Sequence, residues 1–169
     1  MSQRNRILIG VAVLLLIIVA VLAVDALQRR TARLPEVAAG EPTLVPGGIP
    51  IYVDGHLVGS FVPDQLAELQ VASFVDAEEG KTQEGWRLAD VLLLHISEDR
   101  LRPDTRVVVS SSSRNKAADL SWAEVENPDN HVQFDLAGRG TLKLVSTLER
   151  LDVRDEWVQD VDRIEVTNP

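Results

Sequence analysis

The stretch RDEWVQDVDRIEV (Arg154–Val166) sets Trp157, Val158, Val161, Ile164 and Val166 among charged side chains, three residues before Pro169. Its end, RIEV, alternates polar and apolar residues with the period of two that marks a half-buried strand. Terminal residues fray unless something ties them down. The pattern therefore predicts a final strand paired inside a sheet, and the segments that precede it must supply the partners.

Moving back along the chain, TLKLVS and HVQFDL are two alternating strands joined by AGRG, which predicts a hairpin. LERLDVRDEWVQD is ambiguous between helix and strand. LSWAEVEN predicts a short helix capped by Ser121, with Glu124 three residues on, so that the hydroxyl and the carboxylate satisfy orphan N–H groups reciprocally. TRVVVSSSS is a strand rich in β-branched residues that opens into a polar loop, SSSRNKAAD. GWRLADVLLLHI predicts a helix, because Leu88, Val91, Leu92 and His95 fall at i, i+3, i+4 and i+7. VASFVDA reads as a strand, EEGK as a turn, and VPDQLAELQ as a short helix with Pro63 in its first turn. IYVDGHLVGSF has two apolar runs about Asp54-Gly55, the dipeptide that suits a type I′ hairpin turn. Hairpins and short helices in this mixed order predict an α+β domain, residues 50–169, with a mixed and largely antiparallel sheet.

Ahead of that domain the sequence has a different character. Ile7–Val24 reads ILIGVAVLLLIIVAVLAV, 18 residues without a charge. As a helix it would reach ~27 Å, close to the hydrocarbon thickness of a bilayer. Secretory signals have shorter apolar cores, ~7–15 residues, and a small-residue cut site. VDA, ending at Ala26, is a mediocre one, so the reading is a retained anchor over 7–28, with a short tail at 1–6. Arg4 and Arg6 beside the terminal amine favour a cytoplasmic tail and an extracytoplasmic domain, although Arg29, Arg30 and Arg33 flank the other side. Residues 29–49 are rich in proline and glycine and read as a tether.

Composition narrows the function classes. The chain has no cysteine, which removes disulfides, thiol nucleophiles and thiolate metal ligands. The net charge is −9, and residues 51–169 hold 23 Asp and Glu against 12 Lys and Arg, a balance of −11. Such a surface repels nucleic acid. His56, His95 and His131 form no ligand-spaced pair and read as surface or partly packed side chains. Ser112 or Ser113 with His131 and an Asp has the residue types of a hydrolase triad, but the chain has no G-x-S-x-G elbow, and the triad is set aside. AEEGKTQEG is a hairpin tip rather than a calcium loop. Trp86, Trp122 and Trp157 read as core fillers, with a pocket or partner surface as the functional alternative.

Two stretches resemble one known family. GWRLADVLLLHI is similar to the G-x-x-L-x-D-x-L helix of the oxidoreductase molybdopterin-binding domain, the cofactor domain of sulfite oxidase-like proteins. Trp157, Val158, Arg163, Ile164, Glu165 and Val166 resemble its closing tryptophan and -R-I-E-V strand. RVVVSSSSRNKAADLSWAEV and GTLKLVS follow in the family's order, so the resemblance covers roughly residues 50–167. It implies that the terminal strand is integral to a sheet. It also implies a molybdenum site with a cysteine thiolate in the loop after the strand VASFVDA, where this chain offers only Val75, Asp76 and Glu78; a carboxylate does not replace a soft thiolate. Lysines that flank the family's tryptophan, resembling a phosphate clamp, are here Glu156 and Gln159, with Asp155 and Asp160 beside them. The His-Gly-Pro-Arg-like approach to LKLVS is missing, and AGRG is only a tight turn. The implied cofactor is therefore expected to be lost.

Ser112, Ser113, Arg114 and Lys116, in the loop that resembles the family's cofactor-facing loop, remain the candidate anion site, through charge-assisted hydrogen bonds. The expected protein is a membrane-anchored, extracytoplasmic binding or assembly module, without cofactor, that meets a protein or small ligand and touches the membrane through residues 7–24. Two alternatives stand beside it. One is an oxidoreductase or electron-transfer accessory that still binds molybdopterin or another anion. The other is a structural subunit of a membrane complex, in which Gly10, Ala12, Ala20 and Ala23 would allow close helix packing.

Overall fold

The computed structural model describes residues 42–136 and 138–169. The tail and anchor read at 1–28 and most of the tether lie outside the described residues. Among the described residues, no helix is long and apolar enough to cross a membrane.

Among the described residues the architecture is α+β, with two sheets and two short α-helices. β1 (Ile49–Val53) and β2 (His56–Phe61) form the expected hairpin. Asp54 and Gly55 turn it with φ of 50° and 79°, both left-handed as a type I′ turn requires. β3 (Val71–Val75) and β4 (Thr82–Arg87) form a second hairpin, and β4 runs directly into α1 (Leu88–Leu93). β5 (Arg106–Ser111) and β6 (Lys116–Ser121) form a third, followed by α2 (Trp122–Glu126). β7 (Gln133–Leu136) and β8 (Leu142–Val145) pair antiparallel, and β9 (Arg163–Thr167) comes last.

The first sheet has the order β2-β1-β9-β5-β6, and the second β3-β4-β7-β8. All pairings are antiparallel except β1 with β9. One sheet was the expectation; the molecule divides its strands between two. The closing strand occupies the centre of the first. Ile51, Ile164, Val109 and Ala118 stand in one row across it, and Val53, Val166, Val107 and Leu120 in the next. None of the eight is more than 4% exposed. The alternation that predicted a strand thus reflects one face turned into the core, each large side chain contributing ~1.5–3 kcal/mol of burial. α1 closes the core through Leu88, Ala89, Val91 and Leu92, and α2 through Trp122 and Val125.

Three local readings need correction. The helix read over GWRLADVLLLHI begins only at Leu88, because Gly85, Trp86 and Arg87 belong to β4 and pair with β7. The loop read over SSSRNKAAD is short: from Lys116 the chain is already β6, with Ala118 and Leu120 facing the core. The helix around Pro63 is a 3₁₀ segment, Pro63–Glu68. The capping reading for α2 is the observed geometry: the Ser121 hydroxyl accepts from the Glu124 N–H at 3.3 Å, and the Glu124 carboxylate accepts from the Ser121 N–H at 2.8 Å.

His95 follows α1 and sits against β2. Its ring stacks on Phe61 at 6.2 Å, and its Nε2 is buried without a partner among the described residues. Burial holds its pKa below the ordinary 6.5. The neutral ring is thus the form the fold favours, and the stability this provides is present above pH 6.5 and lost as the pH falls from there through the lowered pKa. The carboxylates of Asp160, Asp76 and Glu124 have lowered pKa values and destabilise only in more acid solution. Chemical denaturation from pH 7.5 down to 5.5 is therefore expected to show falling stability in the native chain and a flat profile in His95→Phe. A native profile that is equally flat would refute this account.

Candidate anion-binding site

The four residues singled out in sequence lie at the β5–β6 hairpin tip, where Asn115 takes φ of 50° to complete the turn. They do not form one cluster. The Ser112 N–H donates to Asp162 Oδ2 at 2.9 Å, and its hydroxyl bonds to the same oxygen. The Ser113 hydroxyl lies 3.2 Å from that of Ser111. Arg114 pairs with Asp160 at 2.6 Å. The Lys116 ammonium donates to the carbonyl oxygens of Asp155 and, at 3.4 Å, Trp157. Ser112 and Lys116 line one open cleft of about 620 Å³ over Pro50, Ser110 and Arg163. Arg114 and Lys116 line another of about 200 Å³ with Arg154, Asp155, Trp157 and Gln159.

Beside that second cleft is a third, about 310 Å³, lined by Gly138, Arg139, Lys143, Arg154, Trp157 and Gln159. The two share Arg154, Trp157 and Gln159, and five cations converge on them. Their positions follow from the fold. β6 brings Lys116, the β7–β8 turn brings Arg139, and β8 brings Lys143. The irregular segment between β8 and β9 then carries Arg154 and Trp157 across their ends. That segment reads ambiguously in sequence because it forms no long element: it is anchored by Leu144 N–H to Val158 O at 2.9 Å and Val161 N–H to Leu142 O at 3.0 Å.

Trp157 is 5% exposed and packs with Phe74 and Val145 in a small second core. The Lys143 ammonium lies 4.8 Å from its ring centroid, a cation–π contact. The indole N–H of Trp157 is buried without an acceptor among the described residues. Lys143 also reaches Asp135 at 3.0 Å and Gln83 Oε1 at 2.9 Å. Asp160, at φ of 56°, binds Arg114, Arg139 at 2.9 Å and the Thr141 hydroxyl at 2.8 Å. The Thr141 hydrogen bond, then the two guanidinium groups, hold its carboxyl below the usual carboxylate range. In sequence Asp160 looked like a charge that would repel an anion; in the fold its charge is spent between two arginines, which it orients. Arg154 has the loosest partner, Glu79 at 3.5 Å.

Arg139, Lys143 and Arg154 were not singled out in sequence. The basic residues were visible there, but only the fold shows that they meet. Of the other candidates, His56 is exposed at the start of β2. His131 caps a 3₁₀ turn with φ of 45° and stacks on Phe74 at 5.2 Å, while the Ser112 hydroxyl that a triad would need bonds to Asp162. Trp122 is core, and Trp86 lies in β4. Of AEEGKTQEG, residues 77–81 lie in the β3–β4 turn and residues 82–85 belong to β4.

The residues at the position implied for a molybdenum ligand do not fit that metal. Asp76 is 3% exposed, and both its oxygens are taken: Oδ1 by the Glu79 N–H at 2.7 Å, Oδ2 by Gln83 Nε2 at 2.9 Å. These bonds, that from Glu79 the strongest, hold its carboxyl low. It is a turn-forming carboxylate committed to the β3–β4 turn, and no thiolate exists in the chain. The chain matches no protein-family model and no curated protein.

Proposed function

We propose that this protein is a membrane-anchored, extracytoplasmic binding module, without a redox cofactor, that receives an anionic group of a small ligand or partner protein in the paired clefts around Trp157. The observation that carries the reading is the convergence of Arg114, Lys116, Arg139, Lys143 and Arg154 on one tryptophan, in a domain whose balance of charge is −11. Acidic residues elsewhere repel anions from the rest of the surface, so this basic patch is the favourable place for one to bind. Arg154 and Lys116 are the expected direct contacts, with Gln159 as a neutral donor. Asp160 is a positioning residue for Arg114 and Arg139. The apolar run Ile7–Val24 supports the anchor.

The test is titration of the full chain in detergent with pyrophosphate, followed by Trp157 emission and calorimetry. Binding is expected to weaken with salt, and Arg154→Glu and Lys116→Glu are each expected to lower affinity roughly tenfold or more, the loss of a charge-assisted contact. Arg106→Glu, on the β5–β6 face and paired with Asp119, is the control. Absence of binding, or equal losses in all three variants, would sink the proposal.

The same clefts favour a second reading, an oxidoreductase accessory that still takes the phosphate of a pterin. Full chain purified from a host that makes the molybdenum cofactor distinguishes the two. Stoichiometric molybdenum or pterin would establish the accessory role and overturn the cofactor-free module.

A further inference from the structure

Each sheet has two edges, and three of the four are blunted. β2 lies on a ladder whose register slips between Ile51 and Tyr52, and it contains Gly59. β6 carries Lys116 and Asp119. β8 carries Lys143 and is bridged by Val158. Bulges, charges and covering segments are the usual protections against edge-to-edge pairing. Among the described residues, the fourth edge, β3, has none of them. Its sequence is Val71-Ala72-Ser73-Phe74-Val75, without charge, proline or bulge, and it pairs in regular register with β4 alone. Val71 and Val75 are 57% and 63% exposed, among the few large apolar residues exposed on the described surface.

The phase of the ladder says which groups are free. The Asp76 N–H donates to Lys81 O at 2.9 Å, so Asp76 and Lys81 form a hydrogen-bonded pair. Pairs of this kind alternate along an antiparallel ladder. Phe74 with Gln83 and Ala72 with Gly85 are therefore the bonded pairs, and the N–H and C=O of Val71, Ser73 and Val75 point to the open edge. Set a second β3 antiparallel against the first about Ser73. Val71 then faces Val75 of the other copy, Ser73 faces Ser73, and small Ala72 faces large Phe74. All three free residues exchange both hydrogen bonds, and no charge is opposed to a like charge within the strand.

From this self-complementary pattern we infer that β3 is the interface of a twofold-symmetric dimer of this chain, in which two four-stranded sheets join into one of eight strands. The contact is isologous, as closed dimers are. A single strand pair buries less than the ~1,200 Å² of a standard interface, so the dimer is weak and exchanges. The Trp157 clefts do not enter into it.

The absence of native cysteine gives a direct test on the full chain. A hydrogen-bonded antiparallel pair sets Cα atoms ~5.5 Å apart, within the ~4.4–6.8 Å that a disulfide spans. Ser73→Cys is expected to form a disulfide dimer under mild oxidation, roughly tenfold faster than the exposed control Ser97→Cys, because only the first is held at bonding distance. Val71→Cys is expected to stay monomeric alone and to cross-link when mixed with Val75→Cys. Adding Val75→Lys to Ser73→Cys should abolish the cross-link while far-UV circular dichroism stays unchanged. Equal rates for Ser73→Cys and Ser97→Cys would overturn the dimer; a Val71→Cys chain that cross-links to itself as fast as Ser73→Cys would overturn the register.

Discussion

A chain ended after Asp162 is expected to lose its cooperative fold. The deletion removes β9, the third strand of the five-stranded sheet. Without it the β1–β2 and β5–β6 hairpins have no strand between them, since β9 pairs on one side with β1 and on the other with β5. Ile164 and Val166, both 0% exposed, would take with them ~1.5–3 kcal/mol each. The larger loss is in the backbone. The backbone groups of Tyr52, Val108 and Ser110 face β9, and the Asp54 N–H donates to Val166 O at 2.9 Å. All would lose their partner strand, and a buried polar group left unpaired costs ~1–3 kcal/mol. A few such groups exhaust the ~5–15 kcal/mol by which domains are stable. Ending the chain after Thr167 instead removes only Asn168 and Pro169. Asn168 donates from its N–H to Asp54 Oδ1 at 2.9 Å and from its side chain to Oδ2 at 3.2 Å, and these bonds hold the Asp54 carboxyl low. That shorter chain should fold, with modestly lower stability. Thermal melts followed by far-UV circular dichroism and tryptophan emission separate the cases. A cooperative melt of the 1–162 chain near the temperature of the full chain would disprove the central role of β9.

Much of this arrangement was legible in the sequence where local signals and tertiary demands agree. Asp54-Gly55 specified its hairpin, because the turn needs two positive φ values and few dipeptides supply them. Ile164 and Val166 specified a strand, because one face of β9 is wholly buried. Ser121 and Glu124 specified a helix start by chemistry confined to four residues. The misses fall where strand pairing overrides composition. Lys116-Ala117-Ala118-Asp119 is poor in strand formers and becomes β6 because β5 offers it a ladder and Ala118 and Leu120 a core. Gly85-Trp86-Arg87 precedes a strong helical period, and nothing in that period marks its start; pairing with β7 does. The division into two sheets depends on which hairpins meet, which no local pattern encodes. The clefts were half legible. Arg114 and Lys116 stood out beside a serine tract, but Arg139, Lys143 and Arg154 lie 23 or more residues further on, and only the crossing of the segment before β9 gathers them. Asp160 was read by its sign alone, and sign without partners misleads.

Gly85→Ala is the point substitution expected to do most damage. Gly85 lies in the middle of its sheet, opposite Ala72 of β3 on one side and Asp135 of β7 on the other. A Cβ on it would lie 1.8 Å from the carbonyl oxygen of Phe134, 2.6 Å from its carbonyl carbon and 3.0 Å from the Asp135 Cα. All three are backbone atoms, so no rotamer change relieves the clash; β4 and β7 must part. Parting them disturbs Phe134, which is 0% exposed in the core and tilts against Phe61 at 6.2 Å. It also pulls on Trp86, paired with Phe134 in the same ladder. Overpacking usually costs ~1–3 kcal/mol, and an immovable neighbour places this case at or above the upper end, ~3 kcal/mol. Gly59→Ala is a graded comparison: its Cβ would meet His95 Nδ1 at 2.5 Å, but a side chain can yield where a strand cannot. Gly138→Ala, with nothing within 4 Å of the added carbon, should stay within ~0.5 kcal/mol of the native chain, as surface changes do. Urea denaturation of the three variants orders them. If Gly85→Ala proves as stable as Gly138→Ala, the close approach of β4 to β7 is not a feature of the molecule, and the frame that supports β3 and the Trp157 clefts would have to be redrawn.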